Sequence, residues 1–230
     1  RNLEKPFDVD LIEDMSDAAI YLCKNIQGAK CAYVQSDEIS ILLTDYDKLN
    51  TDAWFNYEIQ KICSISASML TAKFNQLRMM RIFDAGESES SHTESFVLES
   101  IDRFKLAEFD SRAFNIPKEE VANYFHARQR DAVKNSIAML AQSLYSHKEL
   151  HKKNGNEMQD MCFAKGQNWN DLSYKKKRGS FIEKNTYYDN IPKKEYFRSK
   201  GQVGEPVIRT KWESVFTPLR FTESTFENWI

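Results

Sequence analysis

The feature that most constrains this chain is a hairpin signal near its start. Ala29 to Val34 and Ile39 to Leu43 are β-rich runs separated only by the polar tetrapeptide Gln35-Ser36-Asp37-Glu38. Runs joined by so short a polar turn pair as antiparallel strands, which puts two acids at the tip. Before the hairpin, Leu11, Ile12, Met15, Ala18, Ala19 and Leu22 recur at helical spacing between Asp8 and Asn25, with Gly28 placed to end the helix. After it, Asp52 is a candidate N-cap for a second helix to Phe74, whose face carries Ile59, Ile62, Ser66, Met69 and Leu70. Helix, hairpin and helix predict an α+β layer.

Further along, residues 86–95 are polar, acidic and serine-rich and are expected to form a surface loop. Phe109 to Phe114 alternates like a strand. Pro117, followed by Glu119 and Glu120, opens a long helix whose inward face holds Val121, Phe125, Ala132, Ile137, Leu140 and Leu144. After Gly155 the chain turns polar, aromatic and basic, with Lys175 to Arg178 its densest positive run and little periodicity down to Ile230. The expected division is an α+β domain over 1–150 and a helical or irregular C-terminal extension over 151–230.

Composition narrows the function classes. With 41% hydrophobic and 13% aromatic residues, the chain can bury a sizeable core. No apolar run approaches the roughly 20 residues of a membrane helix, so no membrane partner is expected. Thirty-two Lys and Arg against 34 Asp and Glu leave a net charge of -2. A polyanion must therefore be held by local patches, not by a global field. Cys23, Cys31, Cys63 and Cys162 show no CxxC spacing and sit among apolar neighbours, which predicts buried free thiols in a reducing, cytoplasmic setting. His147 and His151 stand at i and i+4 but lack the zinc-protease glutamate, so they are read as helix surface.

Adjacent acids in a hairpin turn suit phosphoryl transfer, because carboxylates there can hold Mg²⁺ close to substrate phosphates. The same pair alone equally describes a solvated polar turn. Lys175 to Arg178, with Tyr174 beside them, would suit RNA phosphates or simply a solvated charged face.

Other motifs bear on that choice. Lys5-Pro6-Phe7-Asp8, Gln35-Ser36-Asp37-Glu38, Phe109-Asp110-Ser111-Arg112, Arg128-Gln129-Arg130-Asp131 with Asn135-Ser136, and Asn156-Glu157 resemble in order and spacing the tRNA(His) guanylyltransferase family. The stretches Asn135 to Gln142 and Ser146 to Leu150 look like its bacterial and archaeal branch of guanylyltransferase-like proteins. The resemblance implies a polymerase-palm-like antiparallel sheet with helices packed on it. It also implies a nucleotidyltransferase that adds nucleotides in the 3′-to-5′ direction to tRNA 5′ ends, as template-dependent repair or as G addition to tRNA(His). The partners implied are tRNA, GTP, ATP or another nucleoside triphosphate, and two Mg²⁺ ions, in a homo-tetramer.

By the same resemblance Asp37 is a metal ligand and Glu38 its catalytic companion, while Ser36, Lys5, Lys61 and Arg112 contact the nucleotide. Each basic residue has a plainer alternative: Lys5 an exposed approach to the first helix, Lys61 a solvated helix charge, Arg112 an ion-pair partner of Asp110. Arg128, Asp131 and Asn135 fall at i, i+3 and i+7 on one helix face and, with Asn156 and Glu157, are assigned supporting or RNA-contacting roles, against a helix-packing network as the alternative. The family's first motif, an Arg-x-Asp-Gly strand with another metal-binding Asp, precedes the Lys-Pro segment. Its partner carboxylate is expected on a strand upstream of Arg1, beside the hairpin. A catalytically impaired module that binds tRNA or nucleotide is the competing reading. A cyclic-dinucleotide-forming palm is disfavoured by Gln35-Ser36 where a Gly-Gly pair would stand.

Overall fold

Asp8 starts the first element: its carboxylate accepts the Leu11 backbone N–H at 2.7 Å and caps helix α1 (Val9–Asn25). The computed structural model describes residues 3–48, 50–87, 105–189, 207–227 and 229. α1 buries Met15, Ala18, Ala19 and Leu22, the face its periodicity predicted. Gly28 does not cap this helix, which ends at Ile26. It turns the chain at φ +79°, where a Cβ would lie 2.6 Å from the Thr44 carbonyl oxygen.

Strands β1 (Ala29–Gln35) and β2 (Glu38–Leu43) form the expected antiparallel hairpin, closed by the Gln35–Glu38 pair. Helix α2 (Ile59–Glu87) differs from expectation at both ends. Asp52 is not its N-cap, because Phe55, Asn56 and Tyr57 take φ of 50°, 49° and 62° in a short turn that a right-handed helix cannot continue from. At the other end α2 runs well past Phe74. The expected 86–95 loop lies outside the described residues beyond its first two.

Phe109 to Phe114 is not a strand. Instead 105–116 runs along α2, held by its side chains. Asn75 bonds both backbone groups of Ala107 at 2.9 Å, Thr71 accepts the Phe109 N–H at 3.2 Å, and Ser66 donates to Ser111 at 2.7 Å. The polar residues of α2 thus do what a neighbouring strand would have done.

Helix α3 (Val121–Leu144) follows Pro117 and a 3-10 turn, with Val121, Phe125, Ala132, Ile137 and Leu140 buried as expected. Capping boxes at Ser146 and Asn154 start α4 (His147–Leu150) and α5 (Gly155–Ala164). Then come α6 (Tyr174–Arg178), β3 (Ser180–Asp189), β4 (Val207–Val215) and α7 (Glu223–Phe226).

The C-terminal part is therefore not merely helical or irregular. β3 pairs with β1 and β4 with β3, giving one antiparallel sheet in the order β2-β1-β3-β4. Half of its strands come from beyond residue 150. Ala32, Val34, Ile182 and Trp212 pack on the α1 and α2 side, and Cys31, Tyr33 and Phe181 on the side of α3, Phe221 and Phe226. Asp14, 1% exposed, ties the two helices of the first layer together through Arg78 at 3.1 Å and Arg81 at 2.5 Å. The four cysteines are free; burial pushes the Cys23 thiol up to about 12 and also raises the Cys31 thiol well above its ordinary value. Among the described residues no helix is long and apolar enough to cross a membrane.

Candidate active site

The two-residue turn Ser36-Asp37 tops the hairpin, with Ser36 at φ +49°, a left-handed conformation that costs a non-glycine residue about 1 kcal/mol. Glu38 is not at the tip. As the first residue of β2 it shares a face with Ser40 and Leu42, and that face meets α3.

Two contacts join the elements in step. Ser40 hydrogen-bonds the Tyr124 hydroxyl at 3.0 Å, and Glu38 Oε2 receives Arg128 Nη1 at 3.4 Å. Residues i and i+2 on a strand span about 7 Å and residues i and i+4 on a helix about 6 Å, so an antiparallel strand and helix can make both contacts. Gln35 Nε2 donates to the same Glu38 oxygen at 2.7 Å. Arg128 Nη2 also reaches Asp131 at 3.0 Å, and Lys134 stands 4.0 Å from Asp131. Glu38 is thereby held from its own hairpin and from α3, while its Oε1 remains uncommitted among the described residues.

Asp37 and Glu38 border a cleft of about 830 Å³. β2 floors it, and Trp54, Tyr57, the start of α2, 109–116 and the Tyr124–Arg128 stretch of α3 enclose it. Asp45 lines it too. Its hydrogen bond to Tyr57 pushes that phenol up to about 12.

The other predicted residues divide. Arg112 lines the cleft, paired with Asp110 at 3.1 Å in a contact open to solvent on both sides. Lys61 and Lys5 are exposed and do not line it; the Lys61 ammonium lies 4.9 Å from the Phe55 ring centre. Asn135 is exposed, two turns along α3 from Arg128. Asn156 and Glu157 lie in the first turn of α5, where both backbone N–H groups bond Asn154 Oδ1 at 3.0 Å and Glu157 bonds back to the Asn154 N–H at 2.9 Å. That is a helix start in its own right. In the basic run, Lys177 and Arg178 lie over Trp169 at 5.5 and 5.7 Å, and Lys175 and Lys176 are half-buried like them.

The family model for tRNAHis guanylyltransferase matches residues 1–117. The chain belongs to the tRNAHis guanylyltransferase family. A bacterial tRNA(His) guanylyltransferase-like protein solved with ATP is 42% identical at a TM-score of 0.73, over 94% of this chain and 77% of that one. A bacterial tRNA(His) guanylyltransferase-like protein solved with GTP is 40% identical at 0.71, over 100% and 80%. The tRNA(His) guanylyltransferase of Saccharomyces cerevisiae, 23% identical at 0.58 over 79% and 76%, shares the fold. No match is found among curated proteins. The protein is thus a guanylyltransferase-type nucleotidyltransferase, and its α+β fold is that of the family.

For an enzyme of this family the donor chemistry at the turn fits a hard cation. Asp37 and the uncommitted Glu38 oxygen offer carboxylate oxygens only, which suits Mg²⁺. Among the described residues no three His, Cys, Asp or Glu side chains gather as a metal cage. Mg²⁺ commonly takes one or two carboxylates and completes its shell with water and substrate phosphate. Sequence reasoning missed Gln35, Tyr124 and Asp45. Tyr124 was within reach, standing one helical turn before Arg128 on the same stripe.

Proposed function

We propose that this protein adds nucleotides in the 3′-to-5′ direction to the 5′ end of a tRNA, with Asp37 and Glu38 as its catalytic carboxylates. The observation that carries the reading is an outward Asp37 at the cleft mouth beside a Glu38 fixed by Gln35 and Arg128, in a chain of this family. Relatives solved with ATP and with GTP support a nucleoside triphosphate as the second substrate.

Asp37 and Glu38 would hold Mg²⁺. The bound cation supplies charge neutralisation on the triphosphate and activates the attacking oxygen. Arg128 keeps the Glu38 carboxylate aimed. Arg112 can exchange its solvent-screened contact with Asp110 for a phosphate, and the Ser36 hydroxyl is offered at the tip. Lys5 and Lys61 remain proposed phosphate contacts. Asp131, Asn135, Asn156 and Glu157 remain proposed supporting residues.

Template-dependent repair of many tRNAs is the preferred form of the activity, since the α3 and α4 sequences resemble the bacterial and archaeal branch. The protein is incubated with 5′-truncated tRNAs of several identities, labelled GTP and Mg²⁺. Templated 5′ addition to several tRNAs, lost in Asp37→Ala, is expected. Absence of Mg²⁺-dependent addition, or an Asp37→Ala variant as active as the parent, would refute the proposal; addition confined to tRNA(His) would replace repair by dedicated G transfer.

The two-carboxylate donor set favours one second reading, a binding module impaired in transfer. Calorimetric titration of GTP with and without Mg²⁺ separates the two, because Mg²⁺-independent binding argues for the module. The homo-tetramer implied by the family is checked by sedimentation.

A further inference from the structure

The sheet register brings a second surface to the end that carries the Asp37 turn. Gln35 pairs with Glu38, Val34 with Ser180, and Phe181 with Val215. The Ser36-Asp37 turn, the Gly179 approach to β3 and the Phe216 exit from β4 therefore leave the sheet at one end. Neighbouring strands lie about 4.8 Å apart, so Phe216 is displaced sideways from β1 by on the order of 10 Å.

An aromatic pair stands there. The rings of Tyr174 and Phe216 are 5.0 Å apart between centroids, and Phe216 is 64% exposed although its side chain is wholly apolar. The pair sits on a braced base: Tyr33 donates from β1 to the Arg178 carbonyl, Thr217 to the Gly179 carbonyl at 2.8 Å, and Ser136 on α3 to the Lys177 carbonyl at 3.2 Å. Lys175 and Lys176 follow Tyr174 directly in α6, half-buried and with no acidic partner among the described residues, while Lys177 and Arg178 lie over Trp169. No acid occurs in 173–177 or 214–221, whereas Arg220 adds a further cation.

Apolar surface beside lysines is unusual for a protein interface, where lysine is depleted. It suits nucleic acid, in which a base offers a π-face and the backbone offers charge.

We propose that Tyr174 and Phe216 form a stacking platform for the terminal base of the RNA 5′ end, with Lys175 and Lys176 contacting its phosphates. This rests on the function proposed above and adds where the RNA end lies before transfer. The platform holds the end to one side of the Asp37 turn and excludes water from one base face.

The test uses the full chain and a 5′-truncated tRNA carrying 2-aminopurine as its first nucleotide. Binding is expected to quench its fluorescence. Phe216→Ala should remove the quenching and weaken binding about 5- to 150-fold, the range for one base–aromatic stack. Phe216→Tyr should restore both, and Phe216→Leu should not. Lys175→Ala with Lys176→Ala should flatten the dependence of log affinity on log salt by between about 1 and 2.

Unchanged quenching and affinity in Phe216→Ala overturn the platform, as does full function in Phe216→Leu or an unaltered salt slope in the double variant. Dissociation of an oligomer by Phe216→Ala with RNA binding intact also overturns it, marking a protein interface instead. Asp37→Ala keeps the two proposals apart. If it binds RNA with full quenching, the platform stands whether or not the parent protein transfers nucleotide. If the parent transfers and Phe216→Ala changes nothing, only the platform fails.

Discussion

Replacing Arg128 by Met removes the cation that reaches Glu38 while keeping a long side chain on α3. Two unit charges 3.4 Å apart attract by about 1 kcal/mol in bulk water and about 5 kcal/mol at an effective dielectric of 20. Glu38 is 55% exposed and Arg128 35%, so solvent screening and side-chain ordering bring the net contribution to stability below about 1 kcal/mol. In a chain of 230 residues that shifts Tm by no more than about 4 °C. The effect on activity should be far larger, because a misplaced catalytic group can cost about 100-fold in rate. Gln35 still holds Glu38 at 2.7 Å, so Arg128→Met alone should lower kcat about tenfold with little change in KM for GTP. Gln35→Ala combined with Arg128→Met should lose more than the product of the single losses, since both act on one carboxylate. Kinetics of GTP-dependent 5′ addition and thermal melting measure both quantities. An unchanged kcat, or a Tm drop beyond about 8 °C, would refute the assignment of Arg128 as a positioning residue.

Asp14→Ala strips the carboxylate from Arg78 and Arg81; these are 26% and 32% exposed and keep some water, so a loss of about 2–3 kcal/mol is expected in urea unfolding. A change under about 0.5 kcal/mol would show that the cluster does not hold α1 to α2. Gly179→Ala places a Cβ 2.2 Å from the Val34 carbonyl at φ +76°, and should cost about 3 kcal/mol or more in the same measurement; tolerance would contradict the close approach of α6 to β1. At Glu183, burial is the main cause that raises the carboxyl pKa, with the Glu213 charge adding to it. A carboxyl raised in the folded state binds its proton more tightly there, so that stability is fully present below the unfolded carboxyl pKa and is lost as pH rises through the higher folded one. Glu183→Gln should therefore raise Tm at pH 7, with the gain shrinking toward pH 4; a gain that grows on acidification would reverse the sign.

Local pattern determined the front of this protein. The Asp8 cap, the apolar stripe of α1, the hairpin on either side of Ser36-Asp37 and the Pro117 start of the long helix are each set by neighbours within a few residues. Neighbours that close are visible in a sequence. The ordered motifs likewise read out the family that the comparisons establish. Tertiary structure decided the rest. Phe109 to Phe114 alternates like a strand, but α2 presented Asn75, Thr71 and Ser66 to its backbone and no strand edge was left for it to join. β3 carries Glu183, Lys184, Asn185 and Thr186 in succession and shows no apolar alternation, yet it lies at the middle of the sheet because β1 and β4 satisfy both its edges. The site followed the same division. Asp37 is legible because a short turn needs polar residues, while the hold on Glu38 is not, because its partner stands 90 residues away on another layer. The convergence of the Asp37 turn, Gly179 and Phe216 at one end of the sheet depends on strand register, which long-range pairing sets and no local stretch of sequence encodes.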